Sequence, residues 1–177
     1  MNLQERYLSI RDYIDAENTG KIIDEIIKYN NEDIKHKVAL DKRQPIHLHI
    51  QSQGGNTLDA FALIDIMLTS DTPIYTYADG YAESAAVDIF LAGSKRLSHK
   101  HTMFLIHGAS SCAENMKLPD MKSHVNMLTD IENWGKSFLI ERTLLSHSQI
   151  EDLYTLNKDI FFTSDKALSC GIATHII

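Results

Sequence analysis

Cysteine is scarce in this sequence, with two in 177 residues. Cys112 and Cys170 stand far apart and form no CxxC pair, which removes the usual thiol redox and zinc motifs and reads as reduced thiols in a reducing compartment. Positive charge is also sparse. Lysine and arginine number 17 against 24 acidic residues, the net charge is −7, and the cations are scattered, so a nucleic-acid surface is not expected. No apolar run approaches the roughly 18 residues of a membrane span. The opening "MNLQERYLSIRDYID" has no apolar stretch of the secretory-signal type. Linkers, repeat arrays and low-complexity tracts are missing too. What remains is one cytoplasmic domain over residues 1–177, with 44% hydrophobic residues to build a core.

The patterning alternates strands with helices. "RYLSI" reads as a strand, and Ile22, Ile23, Ile26 and Ile27 recur at helical spacing within a helix over 16–29. The polar "NNEDIKHKVALDKRQ" reads as an exposed irregular segment. "PIHLHIQ" is a strand broken by "SQGGNT", followed by an apolar helix over about 57–68. "IYTYA" is a strand, "DGYAE" a turn, and a helix from Ser84 to about Leu91 is closed by Gly93 as a C-terminal cap. Two short strands lie within 96–107. A helix over 119–145 carries an apolar stripe of Met121, Val125, Leu128, Ile131, Trp134 and Phe138 and extends roughly 40 Å. Ser148 with Glu151 reads as a capping box. "KDIFF", a short helix stopped by Gly171, and "IATHII" close an α/β order.

Ser84 sits where a strand, a turn and a helix meet, with Ala82 and Ala86 flanking it two residues away on either side. A serine at a helix start is ordinarily a cap. A nucleophilic serine needs the same corner with small neighbours, a base, and amide donors for an oxyanion. The adjacent glycines of "SQGGNT" allow close backbone approach at a strand end. His107 ends the apolar strand "TMFLIH" and is positioned to reach a cleft.

The ordered pieces Ser52-Gln53-Gly54-Gly55, Gly80-Tyr81-Ala82-Glu83-Ser84, Leu105-Ile106-His107 and Asp159-Ile160-Phe161-Phe162-Thr163 resemble the proteolytic subunit of the Clp protease, over nearly the whole chain. The resemblance implies a crotonase-type α/β fold of repeated strand-strand-helix units, with 119–145 as a protruding handle helix. It implies a serine endopeptidase in which Ser84 is the nucleophile, His107 the general base and Asp159 the carboxylate orienting the imidazole, with the backbone N–H groups of Gly55 and Ala85 as the oxyanion hole. It also implies a homo-oligomer, a heptameric ring or stacked double ring, acting on peptides or unfolded proteins without a cofactor. A catalytically inactive ring scaffold and a crotonase-like acyl-CoA enzyme are the alternatives.

Four departures mark a divergent member. Gln53 replaces the family's proline, Glu83 precedes the serine where a small residue is usual, and Gly108-Ala109 replaces Gln-Pro after the histidine. Only about five residues precede "RYLSI", so the family's ATPase unfoldase partner is not expected. The pairs His47/His49 and His99/His101 lack a completing carboxylate or cysteine at recognisable spacing, so no metal site is expected and ring packing is the default. Met103, Met116, Met121 and Met127 read as core or interface filling, and Trp134 as a packing anchor.

Overall fold

The computed structural model describes residues 6–112, 114–155 and 159–177. In chain order the elements are β1 (Tyr7–Ile14), α1 (Ala16–Lys35), β2 (Ile46–Gly55), α2 (Thr57–Thr69), β3 (Ile74–Glu83), α3 (Ala85–Leu91), β4 (Lys95–Ser98), β5 (Met103–Ile106), α4 (Leu118–Arg142), α5 (His147–Thr155), β6 (Ile160–Thr163), α6 (Ser164–Ser169) and β7 (His175–Ile176). The strands form one sheet in the order β1-β2-β3-β4-β7, with β5 paired to β3 and β6 paired to β5. Every pairing is parallel except β5 with β6. Among the described residues no helix is long and apolar enough to cross a membrane.

Strand alternation separates the two faces of the sheet. Leu8, Leu48 and Thr76 lie in one cross-strand row, and Ile10, Ile50 and Ala78 in the next. Their side chains, with Ile14, Ile64 and Phe90, form the core beneath α1, α2 and α3. The opposite face carries rows Tyr7–His47–Tyr75 and Ser9–His49–Tyr77. There the imidazole of His49 stacks on Tyr77 at 4.5 Å and binds Asp79 at 2.9 Å, so the H-x-H pair packs as rings.

Tertiary contacts explain where the elements differ from the sequence expectation. Helix α1 runs through the polar segment to Lys35 because Asp33 is buried and held by both guanidinium nitrogens of Arg6, at 2.6 and 2.7 Å, and by the Thr72 hydroxyl at 2.9 Å. Strand β3 continues through the expected turn to Glu83, since it changes partner. Tyr75–Ala78 pair with β4, and beyond Gly80 the residues Tyr81–Glu83 pair with β5. Gly93 is not the left-handed cap of α3; Ala92 ends that helix. Glycine is needed there because a Cβ would collide with the Thr76 hydroxyl and lie 2.8 Å from its methyl. Helix α4 stops at Arg142 rather than 145, where the guanidinium binds the carbonyls of Leu91 and Gly93 and the Leu144 amide donates to Cys170. The capping box of α5 is Ser146 with Gln149, two residues before the expected pair: the Ser146 amide donates to the Gln149 side chain at 2.8 Å, and the Gln149 amide to the Ser146 hydroxyl at 3.3 Å. The stripe on α4 is buried only at its C-terminal end. Phe138 is 5% exposed, whereas Met121 and Val125 are 42% and 55% exposed.

Candidate active site

Register brings the sequence-distant residues together. Parallel pairing aligns Glu83 with Leu105, and the Ser84 amide then donates to the Leu105 carbonyl at 2.8 Å. Antiparallel pairing aligns Ile106 with Ile160, so His107, just beyond β5, faces Asp159, just before β6. On the other side Ser52 pairs with Ala82, which brings the Gly54-Gly55 end of β2 beside Ser84. Four strand ends therefore meet at one point.

Ser84 sits at the corner in a strained conformation. Its φ is 55° and ψ −130°, its side chain makes no capping hydrogen bond, and α3 begins one residue later. Such a conformation costs on the order of 1–3 kcal/mol in a non-glycine residue. It directs the hydroxyl away from the helix start, and Ser84 Oγ lies 2.8 Å from His107 Nε2. His107 Nδ1 lies 3.8 Å from Asp159 Oδ1, close enough for charge attraction but beyond hydrogen-bond length. The Asp159 side chain is 61% exposed and that of His107 28%. Ala85 is the first residue of α3, where an amide has no intrahelical acceptor, and Gly55 lines the same cleft. All five residues singled out in the sequence thus lie in one neighbourhood, with Asp159 the least engaged.

The two glycines serve different neighbours. A Cβ on Gly55 would lie 2.6 Å from the Ile14 amide nitrogen, so its bareness admits β1. A Cβ on Gly54, at φ +91°, would lie 2.8 Å from Ser84 Cβ and 2.7 Å from the Glu83 carbonyl. Gly54 is therefore the residue that lets the corner carrying Ser84 close, a role the Gly-Gly signal does not apportion. The buried Ser52 hydroxyl supports the turn, accepting the Gly54 amide at 3.0 Å and donating to the Asp12 carbonyl.

A cleft opens beside Ser84 and His107, walled by α3, α4 and α5. Asp88, one turn along α3, and Glu132 of α4 both line it. Burial pushes the Asp88 carboxyl up to about 7. The Tyr154 hydroxyl is raised well above its ordinary range, chiefly by burial and then by Asp88 and Glu132. Glu132 accepts the Ala109 amide at 3.0 Å, clamping the loop after His107 to α4. The only sequence sign of Asp88 is a lone carboxylate in the apolar run "AAVDIFL", four residues after the serine. Among the described residues no group of three or more His, Cys, Asp or Glu side chains could hold a metal ion.

A mixed sheet whose strand ends converge on a serine–histidine contact, with a glycine turn alongside, defines a hydrolase-like α/β architecture. The family model described as Clp protease matches residues 2–177, and the chain belongs to the Clp protease family, a family of serine-type endopeptidases. An ATP-dependent Clp protease proteolytic subunit 2 from Thermobifida fusca is 25% identical over 179 residues, covering 99% of this chain and 82% of the relative. One from Treponema pallidum is 25% identical over 141 residues, covering 78% and 69%. A ClpP1 point mutant from Listeria monocytogenes superposes with a TM-score of 0.81 at 20% identity, covering 98% of this chain and 91% of that one; its fold is this fold, the crotonase-type arrangement expected from the sequence.

Proposed function

We propose that the protein hydrolyses peptide bonds with Ser84 as nucleophile, His107 as general base and Asp159 as the group that orients the imidazole. The carrying observation is the 2.8 Å contact between Ser84 Oγ and His107 Nε2. With the imidazole proton on Nδ1, the serine hydroxyl donates to Nε2 and can pass its proton there as Oγ attacks the carbonyl. The amides of Ala85 and Gly55 are the donors for the oxyanion, each of which is typically worth about 3 kcal/mol in the transition state. His107 then gives the proton to the leaving amine, and water repeats the sequence on the acyl-enzyme. The imidazolium formed in each step is stabilised by the facing Asp159 carboxylate.

The exposed Met121 and Val125 on the outer half of α4, together with Leu118, form an apolar strip that a single chain leaves uncovered. Its burial against further copies supports a ring-type homo-oligomer enclosing the sites, with peptides or unfolded chains as substrates. One observation favours a second reading, a ring scaffold without activity: the 3.8 Å gap between His107 and Asp159 leaves the imidazole without its orienting hydrogen bond. A fluorophosphonate probe separates the two. Wild type should be labelled and Ser84→Ala should not, and wild type should cleave short peptides. Equal labelling of both proteins, or rings that neither label nor cleave, ends the peptidase reading.

A further inference from the structure

The cleft beside Ser84 has a chemistry that hydrolysis alone does not require. Two carboxylates line it, Asp88 and Glu132, and its described lining residues include no lysine or arginine. Asp88 is in the first turn of α3, four residues beyond Ser84, and both residues line the cleft. The Asp88 side chain is partly buried and, among the described residues, its carboxylate makes no hydrogen bond or ion pair. Glu132 is already engaged through Oε1 with the Ala109 amide. Val87, Phe61, Trp134 and Leu139 contribute apolar wall to the cleft. A cleft with apolar wall on one part and a carboxylate without a cation partner matches a side chain with an aliphatic stem and a cationic tip.

Resting on the peptidase reading above, we infer that this cleft seats the side chain immediately before the scissile bond and selects lysine or arginine there, with Asp88 as the specificity residue. Tyr154 of α5 interacts electrostatically with Asp88, and Glu132 of α4 and His107 beyond β5 line the same cleft. Burial disfavours the charged form of Asp88, and none of these groups is a permanent cation. A bound ammonium or guanidinium supplies the missing positive charge, and Asp88 then releases its proton to solvent and ionises. Burial holds the empty-site carboxyl near 7, so a basic substrate gains over a neutral one as pH rises through that region. A glutamate in the same position would meet two like charges and be rejected.

The test uses the assembled wild-type protein and fluorogenic peptides that differ only in the residue before the cleaved bond: Lys, Arg, Leu, Met or Glu. We expect kcat/KM for Lys and Arg to exceed that for Leu and Met by about tenfold or more. The Lys/Leu ratio should rise between pH 6 and 8. Asp88→Asn should collapse that ratio while Leu cleavage persists; Glu132→Gln, which keeps the Ala109 contact, should lower it less. A second arm measures p-aminobenzamidine fluorescence on Ser84→Ala, which needs no catalysis, with Asp88→Asn in that background as the control. Faster cleavage of Leu or Met than of Lys and Arg overturns the inference and leaves the peptidase reading standing. Amidine binding that depends on Asp88, without any peptide cleavage, supports the pocket and overturns the peptidase reading. Neither binding nor cleavage overturns both.

Discussion

Replacing Gly54 by alanine tests whether the corner at Ser84 is set by β2. The added Cβ would stand 2.8 Å from Ser84 Cβ and 2.7 Å from the Glu83 carbonyl oxygen, with Ala85 N at 3.2 Å. Carbon–carbon contacts are optimal at about 3.5–4.0 Å, so Ser84 must retreat by roughly 0.7 Å or the glycine turn must open by as much. Neither yields readily. The Ser84 amide is tied to the Leu105 carbonyl at 2.8 Å, and the Gly54 amide to Ser52 at 3.0 Å. The backbone at φ +91° adds about 1–2 kcal/mol for any residue with a Cβ. Together these predict a stability loss of roughly 2–4 kcal/mol and a melting temperature lower by about 5–12 °C. A displacement approaching 1 Å at the nucleophile costs about a hundredfold in rate. Thermal melts give the first quantity, and the rate constants for fluorophosphonate labelling and peptide cleavage give the second. A folded Gly54→Ala protein that labels within about threefold of wild type would refute the reasoning, because the clash would then have been absorbed elsewhere.

Gly20, inside α1, has nothing within 4 Å of a built Cβ, so Gly20→Ala should stabilise by about 1 kcal/mol and raise the melting temperature by a few degrees; a fall would contradict the helix placement. Because Asp88 keeps its proton to about pH 7 when folded and only to the ordinary carboxylate range when unfolded, wild-type stability should decline between about pH 4 and 7 and stay lowered above it. Asp88→Asn lacks that titration, so its stability relative to wild type should climb across the same window, by up to about 4 kcal/mol; a flat difference in denaturant midpoints from pH 4 to 8 would show that the carboxyl is not desolvated. Arg6→Met strands the buried Asp33 and should cost about 3 kcal/mol at neutral pH. Arg6 is the main cause of Asp33's lowered pKa, so the wild-type advantage should shrink as acid protonates Asp33; an advantage that is constant down to pH 3 would assign the loss to packing instead. Asp159→Asn should slow peptide cleavage by about tenfold or more if the 3.8 Å contact tightens with substrate bound, and cleavage at the wild-type rate would show that the carboxylate takes no part.

Local pattern carried much of the architecture. The alternation in "IHLHI" put Leu48 and Ile50 on the core face and the histidines on the other, and the apolar run after Asn56 gave α2 nearly to the residue. Patterning placed Ser84, His107 and the Gly54-Gly55 turn at element ends, and the resemblance to the Clp protease family added Ala85 and Asp159. Whatever depended on a distant partner was hidden. Tyr81–Glu83 read as a turn because their partner is β5, some twenty residues on. The last turns of α1 read as loop because Asp33 is satisfied by Arg6, which precedes it by 27 residues. The division of labour between Gly54 and Gly55 was equally invisible, since one faces Ser84 and the other β1.

By itself, the order of residues determined which stretches are strand or helix, which face is apolar and which side chains could react, because these follow from periodicities of two and 3.6 and from the chemistry of single groups. Only the tertiary structure decided that His107 reaches Ser84 at 2.8 Å while Asp159 stops at 3.8 Å, and that Asp88 stands in the cleft wall with no hydrogen-bond or ion-pair partner among the described residues. Distances of that kind are set by sheet register and by helices packed from remote parts of the chain, and no local pattern encodes how far apart two such elements come to rest.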